Sequence, residues 1–384
     1  MTPLRVVLAI DEIYQWQGGT EKQLRLLLEH LPRHGAEARL LTIHGSPHLA
    51  GLPFPTSVLG LPLKRYLAPL VLARARRELR RVRADAVLAF FPMARWLVLR
   101  AAASAGVPVR VSTRRNFGLT EDAYASRGLA RWNRHATHIL CNSRRLVQRV
   151  AEVERPDGTP VEYLPNLFPL EPAPPHPDRP SGEWNVVLVA NLRPVKRVDV
   201  FVRAAAALAR EVPQARFHVA GDGPQRAALE ALARELGTAS RVVFHGPVGD
   251  VPALLAAMDA AVLTSETEGS SNAILEYMAA GLPVIATDTG GNPELVRADN
   301  GVLVPPGDPA ALAAALARLT RDPAAVRRMG AASRAIVERE HDAAIVAPLY
   351  IDYIADRLQQ RRAASLRNSE LMGTTTCPSR SNSH

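Results

Sequence analysis

The chain has 384 residues, 47% of them hydrophobic, which is long for one core and comfortable for two. Its 47 Lys and Arg outnumber 37 Asp and Glu, and the two cysteines, Cys141 and Cys377, fit neither a disulfide framework nor a metal set. A small disulfide-stapled fold is therefore excluded, and with no run of eighteen uncharged apolar residues so is a membrane-spanning helix. A reducing cytoplasm is the expected location, with the surface of a membrane as the furthest excursion.

The charge excess is confined to one half. Residues 1–183 hold 26 Lys and Arg against 16 Asp and Glu, whereas residues 184–384 hold 21 of each. A basic first half suits an anionic partner such as nucleic acid, acidic lipid or a lipid diphosphate.

In chain order, Leu4 to Ile10 predicts a strand rather than a leader peptide. A helix follows from Thr20, with Leu24, Leu27, Leu28 and Leu31 on one face. Gly18 and Gly19 stand where strand meets helix, and glycines there permit a tight turn and close approach to a phosphate. Leu61 to Arg83 contains a basic amphipathic helix, with Leu70, Val71, Leu79 and Val82 opposite Arg74, Arg76, Arg77, Arg80, Arg81 and Arg83. Without bulky aromatics on its apolar face, it reads first as a surface helix packed on a sheet. Weak contact of the Arg74–Arg83 region with anionic lipid headgroups is its second reading. Nothing in the chain suggests a helix-turn-helix or an aromatic stacking platform, so nucleic acid is not expected as a partner.

Ala86 to Phe90 and Val107 to Ser112 predict strands joined by a helix over Met93 to Ser104. The loop Thr113–Gly118 then lies at a strand's carboxyl end, where α/β sheets place ligands, which singles out Arg114, Arg115 and Asn116. His138 to Asn142 is the next strand, with Ser143 capping the following helix. Phe168 to Gly182 holds six prolines and reads as a linker. A second alternation follows. Its strands are Val186–Ala190, Arg216–Ala220, Val242–Phe244 and Ala260–Leu263, and its helices are Val198–Arg210, Gln225–Leu236 and Val251–Ala257. Two βα alternations divided by a linker imply two doubly wound domains facing a cleft.

The most informative stretch is Thr264 to Val284: a strand end, a polar loop through Ser271, a helix from Asn272 and another strand after Gly281. A helix N-terminus at a strand's carboxyl end favours an anionic ligand. Glu268 and Glu276 are eight residues apart, roughly 12 Å along a helix, the reach of a sugar, a diphosphate and a ribose laid end to end. Asn292 is expected to cap a helix begun by Pro293.

Glu268-x7-Glu276, the flanking Glu-Gly-Ser-Ser-Asn and Gly-Leu-Pro-Val-Ile-Ala, and Gly290-Gly291-x-x-Glu294 together resemble the signature of glycosyltransferase family 4. Those are retaining, nucleotide-sugar-dependent enzymes of the GT-B fold, two Rossmann-like α/β domains facing a cleft. The resemblance implies an acceptor domain over 1–168, a linker over 169–183, a donor domain over 184–341, a helix over 342–361 crossing back, and from 362 a disordered tail. It implies that Glu268 touches the transferred sugar and Glu276 the ribose, with backbone donors of Gly269, Ser270, Ser271 and Asn272 on sugar hydroxyls. Gly18 and Gly19 resemble the family's loop near the diphosphate, and Gly246 and Val248 the segment that meets the base. Arg193 and Lys196 match the cations on the leaving diphosphate, although the arginine usual directly after the strand is Asn191 here. Arg114, Arg115 and Asn116 become the acceptor candidates. Many relatives carry a histidine at the Phe90-Phe91-Pro92 position, and this chain does not. The expected donor is a UDP- or GDP-sugar and the acceptor a glycan or lipid-linked glycan, in cell-surface polysaccharide synthesis. With no Asp-x-Asp in the chain, no essential metal or other cofactor is expected. A sugar-nucleotide epimerase or a silent sugar-nucleotide-binding protein would share the fold.

Overall fold

The computed structural model describes residues 3–16, 18–60, 68–117, 133–153, 158–172 and 182–373, with side chains to 364. Residues 61–67 of the basic segment, Gly118, most of the proline-rich linker and the end of the tail lie outside the described residues.

Two parallel sheets organise the chain. The first contains β1 (Leu4–Ile10), β2 (Ala36–Thr42), β3 (Thr56–Val58), β4 (Ala86–Ala89), β5 (Val109–Arg114), β6 (His138–Cys141) and β7 (Val161–Tyr163). Their order is β3-β2-β1-β4-β5-β6-β7. The second contains β8 (Trp184–Val189), β9 (Ala215–Ala220), β10 (Val242–Gly246), β11 (Ala260–Leu263), β12 (Val284–Thr287) and β13 (Gly301–Val304), in the order β10-β9-β8-β11-β12-β13. β2 and β3 are absent from the sequence reading, because Ala36–Thr42 alternates small, charged and apolar residues and Thr56–Val58 is only three residues long. In both sheets the winding reverses once, between β1 and β4 and between β8 and β11. Such switch points leave a crevice at the strands' carboxyl ends.

The central strands β1, β4, β8, β11 and β12 are near-continuous apolar runs because helices cover both faces of each sheet. Val6, Leu8 and Ile10 pack with Leu24, Leu27 and Leu28 of the helix Gly19–His30, while Val7 and Ala9 face Val71, Leu79 and Leu97. Period-two alternation decides which side each residue serves. In the second domain Val186 and Leu188 pack on Phe201 and Leu316, and Val187 on Ile274, Leu275 and Met278.

The chain returns to the first domain through the helix Ala343–Gly373, which buries Val346, Tyr350, Tyr353 and Ile354 in the core cluster shared with β1, β5 and the helix Gly19–His30. The linker's start is tied to this helix's start: Phe168 N–H donates to His341 O at 2.7 Å, and Ala343 N–H to Phe168 O at 2.8 Å. Residues 362 to 373 of the expected tail belong to this helix, which continues because Ala363 to Leu371 contains no helix breaker, and residues 374–384 lie outside the described residues. A second correction concerns Asn292. Gly291 occupies the cap position, and Asn292 lies inside the short helix Asn292–Leu295, its Nδ2 donating to Thr287 O at 3.0 Å.

Candidate active site at the domain seam

The second domain's switch point is built by two loops laced together. After β8 the chain makes a single 3-10 turn, Pro194–Lys196, before the helix Val198–Leu208. After β11 it runs through Thr264–Ser271 into the helix Asn272–Ala279. Glu266 N–H donates to Val195 O at 2.9 Å, and Thr264 Oγ1 donates to Lys196 O at 2.8 Å. Arg197 binds Asp199 at 3.0 Å and Glu266 at 2.8 Å, and those carboxylates raise its pKa. The loop after β12 joins in, with Thr287 and Thr289 hydroxyls donating to Ser265 O and Glu266 O.

This lacing brings together two of the candidate residues separated by 72 positions. Lys196 Nζ lies 2.5 Å from Glu268 Oε1, which also accepts from Ser265 Oγ at 2.7 Å. Arg193 is exposed on the same loop, and its charge acts on Glu21 of the first domain. Glu21 is buried, which raises its pKa against the lowering contributions of its own backbone N–H and Arg193. The helix Asn272–Ala279 starts beside this group, with Ser271 Oγ accepting from Ile274 N–H at 3.4 Å. Tyr277 fixes it to β8: Val189 N–H donates to Tyr277 Oη at 2.7 Å, and burial drives the phenol pKa upward.

Four other candidates lie against the opposing domain. Glu276 Oε1 pairs with Lys22 Nζ, on the first turn of the helix Gly19–His30. Asn272 donates to Gly19 O at 2.9 Å and accepts from Gln23 Nε2 at 3.1 Å and Asn166 Nδ2 at 2.9 Å. The Asn272 side chain thus belongs to the seam, leaving its backbone for a ligand. Ser270 O accepts from Asn166 Nδ2 at 3.1 Å. Gly269 is required by close approach, since a Cβ there would stand 2.2 Å from Arg115 O. Gly18 precedes that helix as its cap residue. Gly246 and Val248 lie at the end of β10, two strands out from β8, hence roughly 10 Å along the sheet.

In the first domain, Arg114 is buried at the end of β5 and Asn116 is exposed. Arg115 Nη2 donates to Asn166 Oδ1, its guanidinium interacts with Tyr350, and burial lowers its pKa. The structure therefore places Arg115 within the seam rather than on an open acceptor surface. Sequence reasoning missed Lys22, Gln23 and Asn166, none of which lies in a motif. It also missed Asp11, at the carboxyl end of β1. Burial pushes the Asp11 carboxyl up to about 6, although it accepts N–H bonds from Met93 at 3.2 Å and Ala94 at 2.5 Å.

A cavity of about 430 Å³ opens between the domains, lined by Asn142, Ser143, Arg144, Tyr163, Glu294 and Glu340 among others. Ser270 and Gly291 also line it, but Lys196, Glu268 and Glu276 do not. The space and the paired charges are thus adjacent rather than coincident, and Lys22 fills the ground in front of Glu276. Tyr163 in that cavity is pushed up to about 12 by burial first and the Glu294 charge second. Among the described residues no group of three or more His, Cys, Asp or Glu converges as metal ligands.

Residues 17–172 match the family described as Glycosyltransferase Family 4, and residues 183–322 match Glycosyl transferases group 1. The chain is 35% identical over 181 residues to N-acetyl-alpha-D-glucosaminyl L-malate synthase of Bacillus anthracis, covering 46% of this chain and 47% of that protein. It is 32% identical over 197 residues to the lipopolysaccharide core biosynthesis glycosyltransferase LpsD of Rhizobium meliloti, covering 50% and 56%. The chain thus spans about half the length of the curated relatives it matches. Among solved structures, Anabaena HepE in complex with UDP superposes with a TM-score of 0.79 at 22% identity, over 91% of this chain and 99% of that one.

Proposed function

Since the chain belongs to the family 4 glycosyltransferases and has their two-domain GT-B architecture, we propose that it transfers a sugar, with retention, from a nucleoside-diphosphate sugar to a glycan or lipid-linked acceptor. The observation that carries this reading is the Lys196–Glu268 pair at the β8/β11 switch point, beside a helix N-terminus. A diphosphate entering there takes Lys196 from Glu268, which frees that carboxylate for the sugar. Arg193 and Lys196 then stabilise the negative charge that grows on the leaving phosphate as the glycosidic bond breaks. Backbone N–H groups of Gly269 to Asn272 face the same anion.

The acceptor hydroxyl forms its bond to the anomeric carbon on the face the leaving group vacates, and the departing phosphate oxygen takes its proton. No protein base and no metal ion is required by this scheme. Glu276 receives the ribose hydroxyls once Lys22 lets go, and the base extends along the sheet towards Gly246 and Val248. Domain contact around the donor excludes water, which would otherwise compete with the acceptor. UDP, bound in the Anabaena neighbour, is the nucleotide we expect first.

The acceptor end belongs to the basic first domain, where Asn116 is exposed just after β5. No described helix is long and apolar enough to cross a membrane. A lipid-linked acceptor would be met from the cytoplasmic face, with Arg76, Arg77 and Arg80 exposed beside Leu70, 52% exposed, on the helix Ala68–Arg81. The test is incubation with radiolabelled UDP- and GDP-sugars, with chelator, with and without bacterial lipid extract. Label in lipid or glycan supports transfer, an altered free sugar would indicate epimerisation, and binding without turnover a silent binder.

A further inference from the structure

The helix Arg144–Val153 begins against its own electrostatics. Its first turn has no acid and opens with Arg144 and Arg145, two cations at the positive end of the dipole. Among the described residues Ser143 Oγ accepts only Leu146 N–H, at 3.3 Å. The missing acceptors come from the other domain. Glu294 Oε2 accepts from Arg144 N–H at 2.8 Å, and Glu294 Oε1 from Arg145 N–H at 2.9 Å. One carboxylate thus satisfies two free helix N–H groups across the seam.

Glu294 is also joined to the proposed reacting centre. Its N–H donates to Gly291 O at 3.1 Å, and Gly291 N–H donates to Glu268 O at 3.1 Å. A Cβ on Gly291 would lie 1.9 Å from Gly269 O and 2.8 Å from the Ser143 Cβ, so this turn is wedged between Gly269 and the start of the capped helix. The backbone of Glu268 and Gly269 therefore rests on the same turn that grips the first domain.

We propose that Glu294 is a positioning residue, a helix cap supplied between domains that sets the Glu268–Gly269 segment against the first domain during transfer. This rests on the glycosyltransferase reading and adds a residue that touches no substrate. The cap exists only while the domains meet, so its free energy favours the arrangement in which donor and acceptor sides are aligned. Arg145 adds an exposed ion pair to Asp288 at 3.2 Å, a minor contribution at that exposure.

The test uses the full chain. Glu294→Ala should lower kcat about tenfold while leaving the Kd for UDP within about twofold, because the nucleotide's contacts are elsewhere. Amide exchange at Arg144 and Arg145 should accelerate, and small-angle scattering of the UDP-bound protein should show a larger radius of gyration. A second variant separates positioning from simple stability. Adding Arg144→Glu to Glu294→Ala gives the helix an acid in its own first turn, which should restore the melting temperature but not kcat. An unchanged kcat in Glu294→Ala, or recovery of kcat together with melting temperature in the double variant, overturns the proposal. If the wild-type chain transfers no sugar, the glycosyltransferase reading falls and the positioning role with it. Unaltered exchange at Arg144 and Arg145 would instead refute the cap alone.

Discussion

The two domains share one topology, yet their switch points are furnished oppositely. Between β8 and β11 the chain places a charged pair, Lys196 and Glu268, with Arg193 beside it. Between β1 and β4 it places Asp11, half-buried, bonded to two backbone N–H groups and with its carboxyl pushed up to about 6. One crevice holds ions ready for exchange with an incoming anion, and the other holds a carboxyl already consumed by the fold. On the proposed reading, the same geometry receives a diphosphate on one side and serves as scaffold on the other. The net basic charge of the first domain does not reverse this, because Arg114 and Arg115 at its sheet end are buried or committed to the seam.

The largest effect should come from the charged crevice. Lys196→Ala removes the cation proposed to meet the leaving group, and kcat/KM should fall about 10²–10³-fold, as for loss of one preorganised donor to a developing charge. Steady-state transfer assays check this, and near-normal kinetics would show that the pair is structural.

Gly269→Ala tests whether the two crevices must meet. With Arg115 O only 2.2 Å from the added methyl, the seam has to open, and activity should fall several tens of fold. Scattering should show a more extended particle, and a compact, active variant would contradict the proposed alignment.

Glu276→Ala should raise the donor KM about tenfold with little change in kcat, the expected cost of one charge-assisted hydrogen bond made in ground and transition states alike. Lys22→Met is its counterpart. Removing the competitor for Glu276 should lower the donor KM about twofold to fivefold, whereas a raised KM would mean that Lys22 itself holds the donor.

Asp11 is tested in stability rather than turnover. Its folded pKa is raised above its ordinary value, so its stabilising contribution is complete below about pH 4 and is lost as pH rises through about 6. Melting temperature measured from pH 4 to 8 should therefore decline less steeply in Asp11→Asn than in the wild type. Parallel profiles would show that Asp11 ionises normally.

Hydrophobic runs and glycine positions, read along the chain, determined the two αβ alternations, the strand carrying Leu4–Ile10, the helix from Asn272 and the family resemblance of Glu268 to Glu294. Those signals are local: each strand or helix declares itself within about ten residues through its period and its caps. β2 and β3 escaped because one alternates irregularly and the other is too short to show a period. The Arg193 and Lys196 loop was legible as a motif, but its contact with Glu268 required β8 and β11 to become neighbours. What only the tertiary structure decided is the seam: Lys22 on Glu276, Gln23 and Asn166 on Asn272, and Glu294 on the start of the helix Arg144–Val153. Lys22 and Glu276 are 254 positions apart, and neither bears a local mark of the other. Side chains of opposite charge meet there because two separate sheets present their carboxyl ends to one another, and no periodicity within either sheet encodes that encounter.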